Sequence, residues 1–333
     1  MNANLSVVQK PKALRRGSRF SVFAPASPAD APDSLPGIAE LERLGFVFSA
    51  RTGETDPAPE GYFASSAERR LQEFLQLAQD PLSAAMIALR GGYGANYLLS
   101  VDLETQLPQE GSPKCLLGFS DLTSLQIYLW QRLRWVTFYG PMIAAGFRQG
   151  AGAAKGYDKD SFLQAVSNAS GGWAVRLQAE TLCAGEGQSG RQSVVPTAAE
   201  GMVLGGCLTL LEATLGTPWE LDVRDSILVL EDTGMKPYQV DRALMHLWQA
   251  GKFEGVRGMV LGEFPGGAPA VPGSPTIREV CARILAPLHI PIVYGAPIGH
   301  TERPLLTLPL GIRARLISSG EGTLEFLEPA VIE

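Results

Sequence analysis

The sequence predicts an α/β protein built around a parallel sheet and divided into two domains. Three observations predict it. Short apolar runs recur, among them AAMIAL at 84–89, CLL at 115–117 and SILVL at 226–230, each too short for a helix and each closing on a glycine turn or a polar pair. Stretches with helical spacing stand between such runs, as at 67–78 and 240–248, and strands alternating with helices build a parallel sheet. A chain of 333 residues also exceeds what one core usually holds.

Taken in order, residues 19–24 (RFSVFA) alternate and then run apolar into Pro25, as a first strand does, and Ala26-Ser27-Pro28 opens a loop. Helical spacing at 35–44 ends at Gly45, and 46–48 is a second short strand. Residues 67–78 predict an amphipathic helix with Leu71, Phe74, Leu75 and Leu77 mostly inward and Arg69, Arg70 and Glu73 outward, stopped by Asp80-Pro81. The third strand, 84–89, runs straight into Arg90-Gly91-Gly92-Tyr93-Gly94. The fourth, 115–117, ends in Gly118-Phe119-Ser120-Asp121 and is followed by Leu122, Leu125, Tyr128, Leu129 and Leu133 at helical spacing. A fifth, 135–138, precedes Tyr139-Gly140-Pro141.

Composition then shifts toward Gly, Ala, Ser and Gln, which marks a connecting segment with one strand over 175–182. A new pattern begins at 201–206 (GMVLGG), with strands at 226–230, 256–261 and 290–294, helices at 208–215, 240–248 and 277–285, and closing β-structure at 304–316 and 322–327. The expected organisation is a tail (1–18), an N-terminal α/β domain (19–150), a connection (151–197) and a C-terminal domain (198–333).

Several function classes fall away. Lys and Arg number 28 against 34 Asp and Glu, a net charge of −6, with no basic cluster beyond residues 10–19, which argues against a nucleic-acid partner. No apolar run approaches the ~20 residues of a membrane span, and residues 1–19 lack the apolar core of a signal peptide. Cys115, Cys183, Cys207 and Cys281 are scattered with no C-x-x-C pair, which predicts free thiols in a cytoplasmic protein. His246, His289 and His300 form no ligand motif, so neither a metal nor another cofactor is expected.

The chemistry gathers at strand ends, where parallel sheets bind their ligands. Ser120 stands at a strand-to-helix turn, where backbone N–H groups point at a developing anion. On this stretch alone it fits an N-cap better than a nucleophile, since the G-x-S-x-G pattern of α/β-hydrolases is broken by Leu122. The glycines after Arg90 fit an oxyanion cradle or a plain tight turn. Glu231 follows an apolar strand, with Asp232 competing for any role, and His300 lies in a Gly/Pro-rich loop. Ser120, Glu231 and His300 are the residue types of a nucleophile, an orienting acid and a base, but spacings of 111 and 69 residues leave their meeting to the fold.

Arg90-Gly91-Gly92-Tyr93-Gly94, Gly118-Phe119-Ser120-Asp121-Leu122-Thr123, Leu230-Glu231-Asp232 with Pro237-Tyr238 and Asp241-Arg242, and Gly299-His300 with Leu308-Pro309-Leu310-Gly311 occur in that order. Together they closely resemble the LD-carboxypeptidase family, serine peptidases that include murein tetrapeptide carboxypeptidases and microcin C immunity peptidases. The resemblance runs from about Arg19 to the C-terminus. It implies Ser120 as nucleophile, Glu231 as orienting acid, His300 as base, and the N–H groups of Gly92 and Asp121 as an oxyanion hole. It implies an N-terminal parallel-sheet α/β domain joined to a smaller, β-rich C-terminal α/β domain, a homodimer, no metal, and cleavage of a terminal D-alanine from a muropeptide-like peptide. Arg90 is the expected partner for the substrate's terminal carboxylate. An activity on peptidyl or aminoacyl adenylates, with Trp173 against the base, and a catalytically inactive peptide-binding protein are the alternatives. Two positions depart from the family pattern: Tyr139 stands where histidine commonly precedes Gly-Pro, and Cys207 where asparagine is common.

Overall fold

The computed structural model describes residues 7–49, 59–108, 112–182, 196–269 and 271–333. In chain order the strands are β1 (Arg19–Phe23), β2 (Val47–Ser49), β3 (Ala85–Ala88), β4 (Cys115–Gly118), β5 (Thr137–Tyr139), β6 (Trp173–Arg176), β7 (Glu180–Thr181), β8 (Ala198–Cys207), β9 (Ser226–Glu231), β10 (Gly258–Gly262), β11 (Ile292–Ala296), β12 (Leu308–Leu310), β13 (Arg313–Ile317) and β14 (Thr323–Phe326). The helices are α1 (Ala31–Arg43), α2 (Ala67–Gln79), α3 (Leu103–Gln106), α4 (Thr123–Leu133), α5 (Lys159–Ser167), α6 (Leu208–Ala213), α7 (Pro237–Gln249) and α8 (Ile277–Leu285).

Two sheets result. The first has the order β12-β5-β4-β3-β1-β2, with β1 to β5 parallel and β12 antiparallel on β5. Its β12 comes from the far end of the chain, so the C-terminal stretch closes an edge of the N-terminal sheet. The second has the order β6-β14-β13-β8-β9-β10-β11-β7, with a parallel centre of β8 to β11 and antiparallel flanks. The architecture is therefore mixed α/β in two sheets, with the parallel N-terminal sheet the sequence predicts.

The single strand expected over 175–182 is instead β6 and β7, on opposite edges of the second sheet. Gln178 between them adopts φ +47°, a left-handed step that breaks an extended run. The link from Arg176 to Glu180 reaches at most about 14 Å, whereas eight flat strands would put their edges about 33 Å apart. The sheet must therefore curl. Gly322, just before β14, accordingly has Val293 of β11 within 3.1 Å of where a Cβ would stand.

Period-two alternation explains the apolar runs of the second sheet. On β9, Ile227 and Val229 face the core shared with the first sheet, whereas Leu228 and Leu230 face a second core under α7 and α8. A strand buried on both faces reads as SILVL rather than as an alternating pattern. Between the sheets, α4 is buried from Thr123 to Trp130 and packs on β8 and α6. One outward assignment is corrected: Arg70 on α2 is 1% exposed. Its guanidinium donates to the carbonyls of Ser65 (3.0 Å), Gly94 (2.6 Å) and Pro25, and lies 4.8 Å from the centre of the Phe63 ring. An arginine is tolerated there because three carbonyls satisfy it, and in return it pins the loop after β3.

Candidate active site

The carboxyl ends of β3, β4, β5, β9 and β10 and the loop after β11 supply the site. At the end of β4, Ser120 adopts φ +63° and begins a 3₁₀ turn, Ser120–Leu122, that leads directly into α4. A non-glycine residue held there costs about 1–3 kcal/mol, which the surrounding packing must offset. The neighbouring loop makes the position tight. A Cβ on Gly91 would lie 2.7 Å from the Ser120 Cβ and 2.8 Å from its Oγ, so only a glycine backbone lies this close to the hydroxyl. Gly92, at φ +114°, is equally pressed against Ser27, whose Oγ accepts from the Tyr93 N–H at 3.3 Å. Asp121 is buried, and its Oδ2 accepts from the Ala95 N–H at 2.7 Å. Burial pushes its carboxyl up to about 6, against the pull of the Ala95 and Gly94 N–H groups and Arg70.

Glu231 ends β9 and is fully buried. Its Oε2 accepts from both the backbone N–H (2.8 Å) and the ring Nδ1 (2.9 Å) of His300. Its Oε1 accepts from the Tyr139 hydroxyl at 2.5 Å. Glycines encase this carboxylate: a Cβ on Gly299 would stand 2.4 Å from the Glu231 Cδ, and one on Gly262 would stand 2.5 Å from its Cβ. A carboxylate only accepts, so the His300 proton sits on Nδ1 and the lone pair on Nε2. Burial opposes the imidazolium, but the Glu231 hydrogen bond and charge, with that of Asp232, outweigh it and raise the His300 pKa above the ordinary 6.5. The ring of Phe119, the residue before Ser120, meets the His300 ring edge-on at 5.1 Å. Asp232 points elsewhere: it accepts from the Thr209 N–H and hydroxyl at 2.9 and 2.6 Å and from the Thr233 N–H at 2.7 Å.

Glu263, just past β10, fixes the His300 loop. It accepts from the Thr301 hydroxyl (2.6 Å) and the Glu302 N–H (3.0 Å), and pairs with Arg303, which also reaches the Gly295 carbonyl. Sequence reasoning missed Glu263 and Ser27. Both sit at the mouth of a strand end, which was the available signal, but neither has a local partner that singles it out.

The remaining candidates lie as follows. Arg90 is exposed, its guanidinium 3.4 Å from the Pro28 carbonyl. His246 bonds Glu212 on the outer side of α7, and His289 follows the turn after α8 in a left-handed conformation. Trp173 stacks on Phe326 at 4.6 Å. Cys115, Cys207 and Cys281 are free and buried, and Cys183 lies outside the described residues. Among the described residues, no group of three or more His, Cys, Asp or Glu is placed to hold a metal ion, and no helix is long and apolar enough to cross a membrane.

Known proteins share both this sequence pattern and this fold. The LD-carboxypeptidase N-terminal domain pattern matches residues 21–140 and its C-terminal counterpart residues 200–316. The chain belongs to the LD-carboxypeptidase family. As such it is a carboxypeptidase of the serine type. The probable murein peptide carboxypeptidase of Bacillus subtilis is 30% identical over 317 residues, 95% of this chain and 94% of that one. The microcin C7 self-immunity protein MccF of Escherichia coli is 27% identical, covering 88% of each. A crystal structure of muramoyltetrapeptide carboxypeptidase from Oxalobacter formigenes superposes with a TM-score of 0.75 at 26% identity, over 94% of this LD-carboxypeptidase and 99% of that chain.

Proposed function

We propose that this LD-carboxypeptidase removes the terminal D-amino acid from a murein tetrapeptide, using Ser120 as nucleophile, His300 as base and Glu231 as the acid that orients it. The observation that carries the proposal is the Glu231–His300 pair, bonded at 2.9 Å and set beside the strained Ser120 turn through Phe119. In this mechanism His300 Nε2 takes the Ser120 proton as Oγ attacks the scissile carbonyl. The N–H groups of Gly92 and Asp121 receive the oxyanion. The imidazolium, steadied by Glu231, then protonates the leaving amine, and water cleaves the acyl-enzyme by the same route. Arg90, exposed on the rim, pairs with the carboxylate of the departing residue. We further propose that the enzyme serves peptidoglycan recycling in the cytoplasm, since a substrate of this class is a product of cell-wall turnover, and that it acts as a homodimer.

The murein substrate is favoured over an adenylate by the Bacillus subtilis relative, the more similar of the two, and by Trp173, whose ring is taken up by Phe326. Incubation with purified muropeptide tetrapeptide, followed by mass spectrometry, tests the proposal. The expected result is loss of one alanine by the wild type and a fall of about a thousandfold or more in the Ser120→Ala variant. Retention of more than about a tenth of the wild-type rate by that variant removes Ser120 from the mechanism.

A further inference from the structure

We propose that Tyr139 is a positioning residue of the reaction: its buried hydroxyl aims the Glu231 carboxylate and sets how tightly the Glu231–His300 pair holds a proton. The proposal rests on Glu231 and His300 being acid and base. Tyr139 closes β5 of the first sheet, whereas Glu231 and His300 belong to the second, so this hydrogen bond links the nucleophile's sheet directly to the acid that holds the base. Its length is 2.5 Å, and both residues have no solvent-exposed surface.

The bond has a fixed direction. A carboxylate has no proton to give, so the phenol donates to Glu231 Oε1. The Thr123 hydroxyl lies beside the phenol and draws its pKa down, against burial and Glu231. Thr123 in turn accepts from the Cys207 N–H at 3.1 Å. Cys207, Thr123, Tyr139 and Glu231 thus line up along the seam between the sheets, and the two bonds at its ends both point toward the carboxylate side. Thr123 opens α4, three residues after Ser120, so this line passes beside the nucleophile's own turn. Gly206 makes room for it, since a Cβ there would stand 2.8 Å from Thr123 Oγ1 and 3.1 Å from the Tyr139 ring.

The chemical consequence has a definite sign. A donor on Oε1 draws charge away from Oε2, the oxygen that His300 uses. Without it, Glu231 is left short of a partner in a buried site and the pair binds its proton more tightly. Other charges near the pair do not supply the missing donor. Asp232 is held by Thr209 and Thr233, Glu263 by Thr301, the Glu302 N–H and Arg303, and the Cys207 thiol is kept neutral by burial and the adjoining Glu231 and Asp232 charges. Burial and the neighbouring Glu231 likewise keep the phenol protonated, and so a donor, at all working pH values.

The test is a titration of His300 by NMR in histidine-labelled protein, with the resonance assigned from His300→Gln. Tyr139→Phe is expected to raise the His300 pKa by about one pH unit, the size of one hydrogen bond to a buried charge. Incorporation of 3-fluorotyrosine at position 139, a stronger donor that keeps the hydroxyl, is expected to lower it. The acid limb of kcat/KM should follow both shifts, with KM changed less than about twofold. A His300 titration unmoved by Tyr139→Phe, or moved in the same direction by both changes, overturns the proposal and leaves Tyr139 a packing residue. If the phenylalanine variant does not fold, the fluorotyrosine protein decides alone. Because the titration needs no turnover, failure of the serine mechanism would show separately, as activity surviving in Ser120→Ala.

Discussion

At the scale of single residues, the choice between Glu231 and Asp232 shows how backbone geometry assigns chemistry. Neighbours on a strand point to opposite faces, so only one of the two can meet His300. Glu231 does, while Asp232 turns to the start of α6 and bonds Thr209. Glu231→Gln keeps the shape but cannot stabilise an imidazolium, so kcat should fall by about a thousandfold with KM little changed. Asp232→Asn should cost far less. The pH dependence carries a sign as well. Glu231 raises the His300 pKa, so the free base is lost as pH falls through a value above 6.5, and kcat/KM of the wild type should decline on its acid side there. Since the folded-state value is the raised one, the pair's contribution to stability is complete below the unfolded value of 6.5 and is lost as pH rises from there through the higher folded value. In Glu231→Gln the acid limb should move to lower pH. Steady-state kinetics and thermal unfolding of the three proteins across pH check all of this, and a larger kcat loss in Asp232→Asn at unchanged stability would reassign the acid.

Among elements, the turn after β4 and the loop after β3 act as one unit. Gly91 needs no unusual φ, so alanine is compatible with its backbone, yet its Cβ would fall 2.7 Å from the Ser120 Cβ. Gly91→Ala is therefore a local probe of the Ser120 position. It should lower kcat by about a hundredfold or more through misplacement of the hydroxyl, with the far-ultraviolet circular dichroism of the wild type. Activity within about threefold of wild type would show that the two elements move independently. Strand ends of this kind were legible in the sequence because buried strands leave short apolar runs that stop at glycine or at a charged pair. The positive φ of Ser120 was not, since no glycine marks the position. The helix α5 was missed as well: KDSFLQAVS has too few apolar residues to establish a period, and its burial of Phe162, Ala165 and Val166 depends on distant partners.

For the molecule as a whole, what stayed hidden was what joins distant parts of the chain. Apolar patterning gave two α/β halves but could not show β12 crossing from the C-terminal stretch to pair with β5, because its pairing is set by the end of a chain more than 150 residues away. The same limit applies to Tyr139, which reads in sequence as the residue just past a strand and proves to bond the carboxylate of Glu231, 92 positions on. Ser120, Glu231 and His300 were each recognisable as candidates from their place at strand ends and from resemblance, and it is the folding of the second sheet against the first that brings Glu231 and His300 to the Ser120 side. In the proposed mechanism this assembly activates one serine among all those in the chain. Reaction with a fluorophosphonate, followed by digestion and mapping of the adduct by mass spectrometry, measures it directly. A single modified residue, Ser120, is expected, with labelling slowed by about a hundredfold or more in His300→Gln. Modification at another serine, or labelling of Ser120 at an unchanged rate without His300, would contradict it.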